Sequence, residues 1–330
     1  MNRTLTSALA LFSLSVLAGA VHAQSNIKIY GTIDTAIGQY QLAGANKIKA
    51  VGTGDMVTSF IGFSGSEDLG GGLKATFALE SFLRSDSGEA GRFNGDNFWA
   101  RAANVGLTGS FGSLKVGRTT NLTFLSALLF NSFGDSFGFS PTIIQRFIDA
   151  RGAAASIQGD TGWSNSVTYS SPSFGGFSAA AQVAAAEGNG KQNTGAHALY
   201  FGGPFSATVS WQSVGVGLGG QKETTTGVGA AYDFGPVKLY GQYTDIDDKA
   251  SVSKVKISNL SLSAPVGPMG KFMAAWGQSK ISGGSTHTTT SIGYDHMLSK
   301  RTDIYAVYMN DKVTSLKTGN TMAVGLKHNF

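Results

Sequence analysis

The side chains that could do chemistry in this 330-residue chain are few and scattered. Cysteine is absent, which removes thiolate nucleophiles, Cys-based zinc sites and any disulfide framework. Nucleophilic or general-base chemistry would need a histidine held beside an acid. Asp295-His296 is the one adjacent pair, and neighbours in a strand point to opposite faces. His197, His287 and His328 stand apart on separate segments. Asp245, Asp247 and Asp248 could bind calcium only weakly, and a solvated acidic loop is the simpler reading. Gly52-Thr53-Gly54 opens no helical pattern, so it is a loop and not a phosphate cradle. No enzyme activity, cofactor or metal is expected. What is left is electrostatic. Lys74, Glu80 and Arg84 share one parity of an alternating segment, and Asp34 lies on the polar parity of an earlier one.

Strands must position these charges. In Thr321–Phe330, Met322, Val324 and Leu326 fall on one parity with Phe330, against Thr321, Ala323, Gly325, Lys327 and Asn329. A half-apolar strand ending on an aromatic suits a barrel in a membrane, with Lys327 turned inward. Ile27, Ile29, Ile33 and Ile37 oppose Lys28, Tyr30, Thr32 and Asp34 in the same way. Ile61 and Phe63 lead into a polar glycine turn at 65–72, and alternation resumes at Leu73, making a hairpin. Compact reversals such as Gly202-Gly203-Pro204 and Phe234-Gly235-Pro236 alternate with longer connections such as 215–226 and 245–252.

Composition agrees. Glycine is 46 residues, proline 6 and charged residues 14%. Alternating segments average out, which is how membrane barrels escape hydropathy plots. Residues 1–23 read as a signal peptide: Arg3, the apolar run Leu9–Leu17 and the Val21-His22-Ala23 cleavage site, with the mature domain spanning 24–330. At about 10 residues per strand, 16 strands take roughly 160, and eight turns and eight loops use the rest. The expected fold is therefore all-β, a 16-stranded antiparallel transmembrane β-barrel. The formal charge of +5 is spread without a Lys/Arg block, so no nucleic-acid partner is expected. Inside a channel it would favour anions.

One stretch, 121–160, breaks the alternation. It is rich in aromatics, and a loop of that length in a compact domain is usually functional. In a wide barrel it can fold inward and narrow the lumen. It carries Asp135, Asp149 and Asp160 with Arg146 and Arg151.

The order of several short motifs resembles the general porins of Gram-negative bacteria, in particular those of beta-proteobacteria. They are Ile29-Tyr30-Gly31-Thr32-Ile33-Asp34, the hairpin from Gly62-Phe63 to Lys74-Ala75, Val105-Gly106-Leu107, Val116-Gly117-Arg118, Asn165-Ser166-Val167-Thr168-Tyr169 and Val324–Phe330. The resemblance covers the whole mature chain. It implies an outer-membrane homotrimer in contact with lipid, each barrel a separate water-filled pore for passive diffusion. It implies that the third outer loop, within 121–160, folds inward as a constriction. It also implies that Phe330 is read by the barrel assembly machinery.

In such porins wall arginines face acidic groups of the inward loop. Arg101 stands where the family carries a wall arginine, and Arg84 is aimed inward by parity. Arg118 closes its strand with a parity that points outward. Asp135 lies in Phe133-Gly134-Asp135-Ser136-Phe137-Gly138, which resembles the family's loop tip. Asp149 and Arg151 could pair with each other instead. Two positions depart from the pattern: Phe60 and Trp163 stand where arginines are common. If both rings enter the lumen, mild anion selectivity joins a preference for small aromatic carboxylates; otherwise they belong to the interfacial girdle or pack under the loop.

Overall fold

The computed structural model describes residues 26–148, 160–186, 192–216, 221–250 and 253–330. Its strands form one antiparallel sheet. The first are β1 (Asn26–Tyr40), β2 (Ile48–Thr53), β3 (Phe60–Gly70), β4 (Leu73–Phe82), β5 (Ala102–Gly109) and β6 (Gly112–Thr120). Then come β7 (Gly162–Ser170), β8 (Phe177–Ala184), β9 (Asn193–Gly202), β10 (Phe205–Val216), β11 (Gln221–Asp233) and β12 (Lys238–Asp248). The last are β13 (Ser253–Val266), β14 (Gly270–Ile281), β15 (Thr286–Met297), β16 (Thr302–Val313) and β17 (Gly319–Asn329). β1 pairs with β17, Asp34 opposite Lys327, and this closes the sheet into a barrel without edges. Phe330 extends the seam by exchanging backbone hydrogen bonds of 3.1 and 3.2 Å with Gly31.

The seventeen strands among the described residues fill sixteen wall positions, because β2 and β3 share one. The second edge of β1 pairs with β3 over Asn26–Thr32 and with β2 over Thr35–Tyr40. Between them, residues 54–59 leave the wall and fold inward as a pleat. Gly54 makes the departure possible with a φ of 65°, a conformation glycine adopts without steric penalty. The Asp34 carboxylate then receives the Met56 and Val57 N–H groups at 2.6 and 2.8 Å, and Ser59 Oγ accepts the Asp34 N–H at 2.9 Å.

Each strand alternates as its sequence demands. Along β11, Glu223, Thr225, Gly227, Gly229 and Ala231 are buried, while Thr226, Val228, Ala230 and Tyr232 are exposed. The outward parity carries Ile29, Ile37, Val105, Leu260 and Val324, each well over half exposed. So much bare aliphatic surface calls for cover by lipid or by other subunits and not by water. Glycine turns such as 71–72 close one end of the barrel, and the long connection 83–101 lies at the other, where the chain also leaves the wall after β6. Two expected loops are shorter than the sequence suggests. β10 runs on to Val216 and β12 to Asp248, so Asp247 and Asp248 point to opposite faces of a strand instead of clustering.

Candidate pore constriction

Residues 121–148 enter the barrel. Asn121 starts the descent: its Oδ1 accepts the N–H groups of Thr123 and Phe124, capping α1 (Leu122–Leu129), and its Nδ2 donates to Gln212 of β10. α2 (Pro141–Ile143) and a π-helical turn (Ile144–Ile148) follow. Contacts trace the loop around the inner wall. Ser126 meets His197 of β9 and Thr208 of β10, each at 3.1 Å. Gln242 of β12 donates to the carbonyls of Ala127 and Phe130, and Ser291 of β15 to that of Phe139. The tip then docks on the pleat, where the Asp55 carbonyl accepts Ser136 Oγ–H at 2.7 Å and Gly138 N–H at 3.0 Å. Phe133 and Phe139 pack with Met273, Tyr305 and Val307 of the wall. Bare glycines make the seat: a Cβ on Gly293 would stand 3.1 Å from the Phe133 ring, and one on Gly229 3.3 Å from Phe130 Cβ.

The facing wall, β1 and β3–β6, is not covered in this way. Glu80 of β4 is on the inner parity; it accepts from Tyr30 Oη and forms an ion pair with Arg101. The Arg101 guanidinium lies 3.8 Å above the Phe60 ring centre. Toward the short-turn end, register sets inner lysines against inner aspartates: Lys74 opposite Asp68, Lys238 opposite Asp233, Lys271 opposite Asp295 and Lys327 opposite Asp303. Lys28 and Lys115 on the same face meet only Ser64, Gly106 and Thr168. Across the lumen Asp135 is half-buried and forms no ion pair among the described residues. Burial raises its carboxyl pKa, while the fields of Arg101 and Lys327 pull the other way.

Other expected residues land elsewhere. Arg84 turns back into its own connection, pairing with Glu89 at 2.9 Å and donating to Asn94. Arg118 reaches Ser164 at 3.0 Å and Asp160 at 2.6 Å, along the strand ends and not toward Asp135. Asp34 is on the inner face yet wholly buried, because the pleat and the Tyr305 hydroxyl cover it. Lys74 is exposed at the short-turn end of the lumen, far along β4 from Arg101. Phe60 and Trp163 both face inward, but neither shows a ring to water. Phe60 lies under Arg101, and Trp163 packs with Ala184 and Val214. Arg146 is buried between loop and wall. Asp149 and Arg151 lie outside the described residues, as does the 1–23 segment.

Sequence reading missed Arg92. It clamps Asp96 at 2.9 Å and Asp160 at 2.7 Å, while Arg118 holds the second Asp160 oxygen. Burial opposes ionisation of Asp160, but Arg92, Arg118 and the Thr161 N–H outweigh it and bring its carboxyl to about 2. The root of the inward loop is thereby fastened to the 83–101 connection. The available sequence signal was the four-residue spacing of Arg92 and Asp96, inconspicuous in a stretch without alternation.

The comparisons with known proteins agree with this architecture. The chain is 32% identical to the outer membrane porin protein 32 of Delftia acidovorans, over 96% of this chain and 92% of that one. It is 27% identical to an outer membrane porin protein of Bordetella pertussis over the full length of both. Among solved structures, the anion-selective porin from Comamonas acidovorans superposes with a TM-score of 0.80 at 27% identity, covering 93% of this chain and all of that one. The family model for the Gram-negative porin matches residues 6–315. An outward aliphatic wall, an inner charged face and a loop crossing the interior thus meet a match along nearly the whole chain, and the protein belongs to the Gram-negative porin family.

Proposed function

We propose that the barrel is a passive diffusion channel of the outer membrane whose narrowest part lies between Asp135 on the inward loop and Arg101 with Lys327 on the wall. The observation that carries this reading is the loop's anchorage: it is held to the wall from β9 round to the pleat, which leaves passage beside β3–β6. Solutes cross down their gradients without a catalytic step. A mild preference for anions follows from Lys28 and Lys115, which have no acid opposite them, and accords with the anion-selective relative. Reversal potentials in asymmetric salt test it. They should indicate anion preference in the native channel and a shift toward cations in Arg101→Ala, with the pore still open. Cation preference in the native channel would reject the reading.

The homotrimer is part of this proposal. Outward positions of β10–β16 carry aromatics (Trp211, Tyr232, Tyr243, Trp276, Tyr294, Tyr308), as a lipid boundary favours. Outward positions of β1 and β3–β6 have Phe63 and Phe77 but are chiefly aliphatic (Ile29, Ile37, Val105, Leu107, Val116), a face suited to other subunits. Phe330, at the seam with Gly31, is the position proposed to be read during barrel assembly. A second reading, preference for small aromatic carboxylates, moves from Phe60 and Trp163 to an apolar cavity of about 360 Å³ lined by Tyr40, Leu42, Ile48, Phe137 and Ile144. Benzoate flux relative to acetate should fall in Phe137→Ala; an unchanged ratio removes that reading.

A further inference from the structure

One cation of the passage is set in an aromatic and acidic frame. Phe60 of β3 and Phe82 of β4 are opposite each other in register, both turned inward, and each lies beneath a guanidinium. Arg101 stands 3.8 Å above the centre of the Phe60 ring, and Arg92 stands 5.0 Å above that of Phe82. Arg92 belongs to the clamp at the loop root, whereas Arg101 faces the passage. Tyr30 of β1 meets the Phe60 ring edge-to-face at 5.9 Å, and Phe82 and Ala100 pack around it, so the ring is held in place. The Tyr30 hydroxyl also donates to one Glu80 oxygen, and Arg101 Nη1 donates to the other. Nε and Nη2 of Arg101 have no partner among the described residues, and the side chain is 32% exposed. One edge of the guanidinium is therefore tied to Glu80, and the rest of its donors are left to the water of the passage. An ion pair in contact with water holds long side chains only weakly. A ring beneath the guanidinium adds attraction from its face and keeps water off that side.

We propose that Phe60 is a positioning residue for ion selectivity, a role that rests on the reading of Arg101 as a charge of the narrowest part. Its ring holds the Arg101 guanidinium flat, so that one edge alone reaches Glu80 and the charge acts on passing anions. Without the ring the guanidinium is free to turn and lay both of its Nη groups on Glu80, the bidentate arrangement that arginine favours with a carboxylate. The cation would then be drawn out of the passage and largely offset. Phe60 adds no charge to the pore; it decides where one acts.

Reversal potentials in asymmetric potassium chloride test this on the native channel, Phe60→Met, Arg101→Ala and the double variant. Phe60→Met keeps an apolar side chain and removes the ring face. It should move the potential toward cation preference by about half of the Arg101→Ala shift. In the Arg101→Ala background the same substitution should add nothing. Phe60→Tyr, which keeps a ring, should behave as the native channel. Phe60→Leu should repeat the Phe60→Met result, so the test does not depend on one variant folding. An unchanged potential in Phe60→Met, or a shift toward anions, overturns the proposal. So does an equal shift with and without Arg101, or one as large in Phe60→Tyr, since the ring would then serve packing alone. If Arg101→Ala itself leaves the potential unchanged, the constriction reading fails and the role of Phe60 falls with it.

Discussion

The two halves of the inner wall obey the same alternation and serve different ends. Where the loop lies on β9–β16, the inward residues are mostly neutral hydrogen-bonders, such as Gln212, Thr208, Gln242, Asn259 and Ser291, and these are covered. On β1 and β3–β6 they include Lys28, Lys74, Glu80 and Lys115, which stay in contact with water. The first half is a dock for the loop, and the second is one side of the passage. Neutral amides and hydroxyls suit the dock because each can be satisfied by a loop carbonyl or N–H after burial, whereas a charge would lose its hydration. Charges suit the passage because they stay solvated and act on passing ions through the field.

Substitutions can break this division. The largest effect is expected for Gln242→Leu. It leaves the Phe130 carbonyl without its side-chain donor, at about 1–3 kcal/mol, and takes one of two side-chain donors from the Ala127 carbonyl, which keeps Asn131 Nδ2. The barrel ladder is untouched, so single-channel records should show a higher and unsteady conductance in a protein that still folds. Lys115→Leu, the counterpart on the open half, should leave conductance steady and reduce anion preference. If the two variants behave alike, the distinction between dock and passage is void. Asp135→Asn should be smaller: a slight rise in anion preference with stability unchanged, because that carboxylate holds no partner.

The smallest effect concerns pH. Asp160 titrates near 2 in the folded protein, below its ordinary value of 3.8. A lowered carboxyl contributes stability that is complete above its unfolded pKa and is lost as pH falls through the folded value. The clamp of Arg92 and Arg118 should therefore hold between neutral pH and about 4 and weaken only toward 2. Channel noise followed across that range should be flat in the native protein and already raised at neutral pH in Asp160→Asn.

The strands were legible in the sequence because one short-range rule governs them. Parity placed Glu80 and Lys327 inward and Ile37 and Val324 outward, as in the folded barrel. The barrel followed from the alternation of short turns with longer loops, and its strand count from the chain length at about 10 residues per strand. The site was less legible, because it depends on what lies above each inward residue. Asp34 has the parity of a lumen charge, yet the pleat covers it. Arg84 has the parity of Glu80, but β4 ends at Phe82 and alternation no longer governs it. Trp163 faces inward beneath neighbours from β8 and β10 that no local pattern reveals. Arg101 sits just ahead of β5, and only its resemblance to family members marked it.

The Asp34 carboxylate has one more consequence, in time. It accepts from Tyr305, 271 positions away in sequence, as well as from the pleat that carries the loop tip. The docking point for the tip is thus complete only after the last strands have met the first. Contacts between such distant parts of a chain form slowly. The barrel should pass through a wide form before it becomes narrow, and the drop in conductance during refolding would mark the moment when the two ends of the chain have found each other.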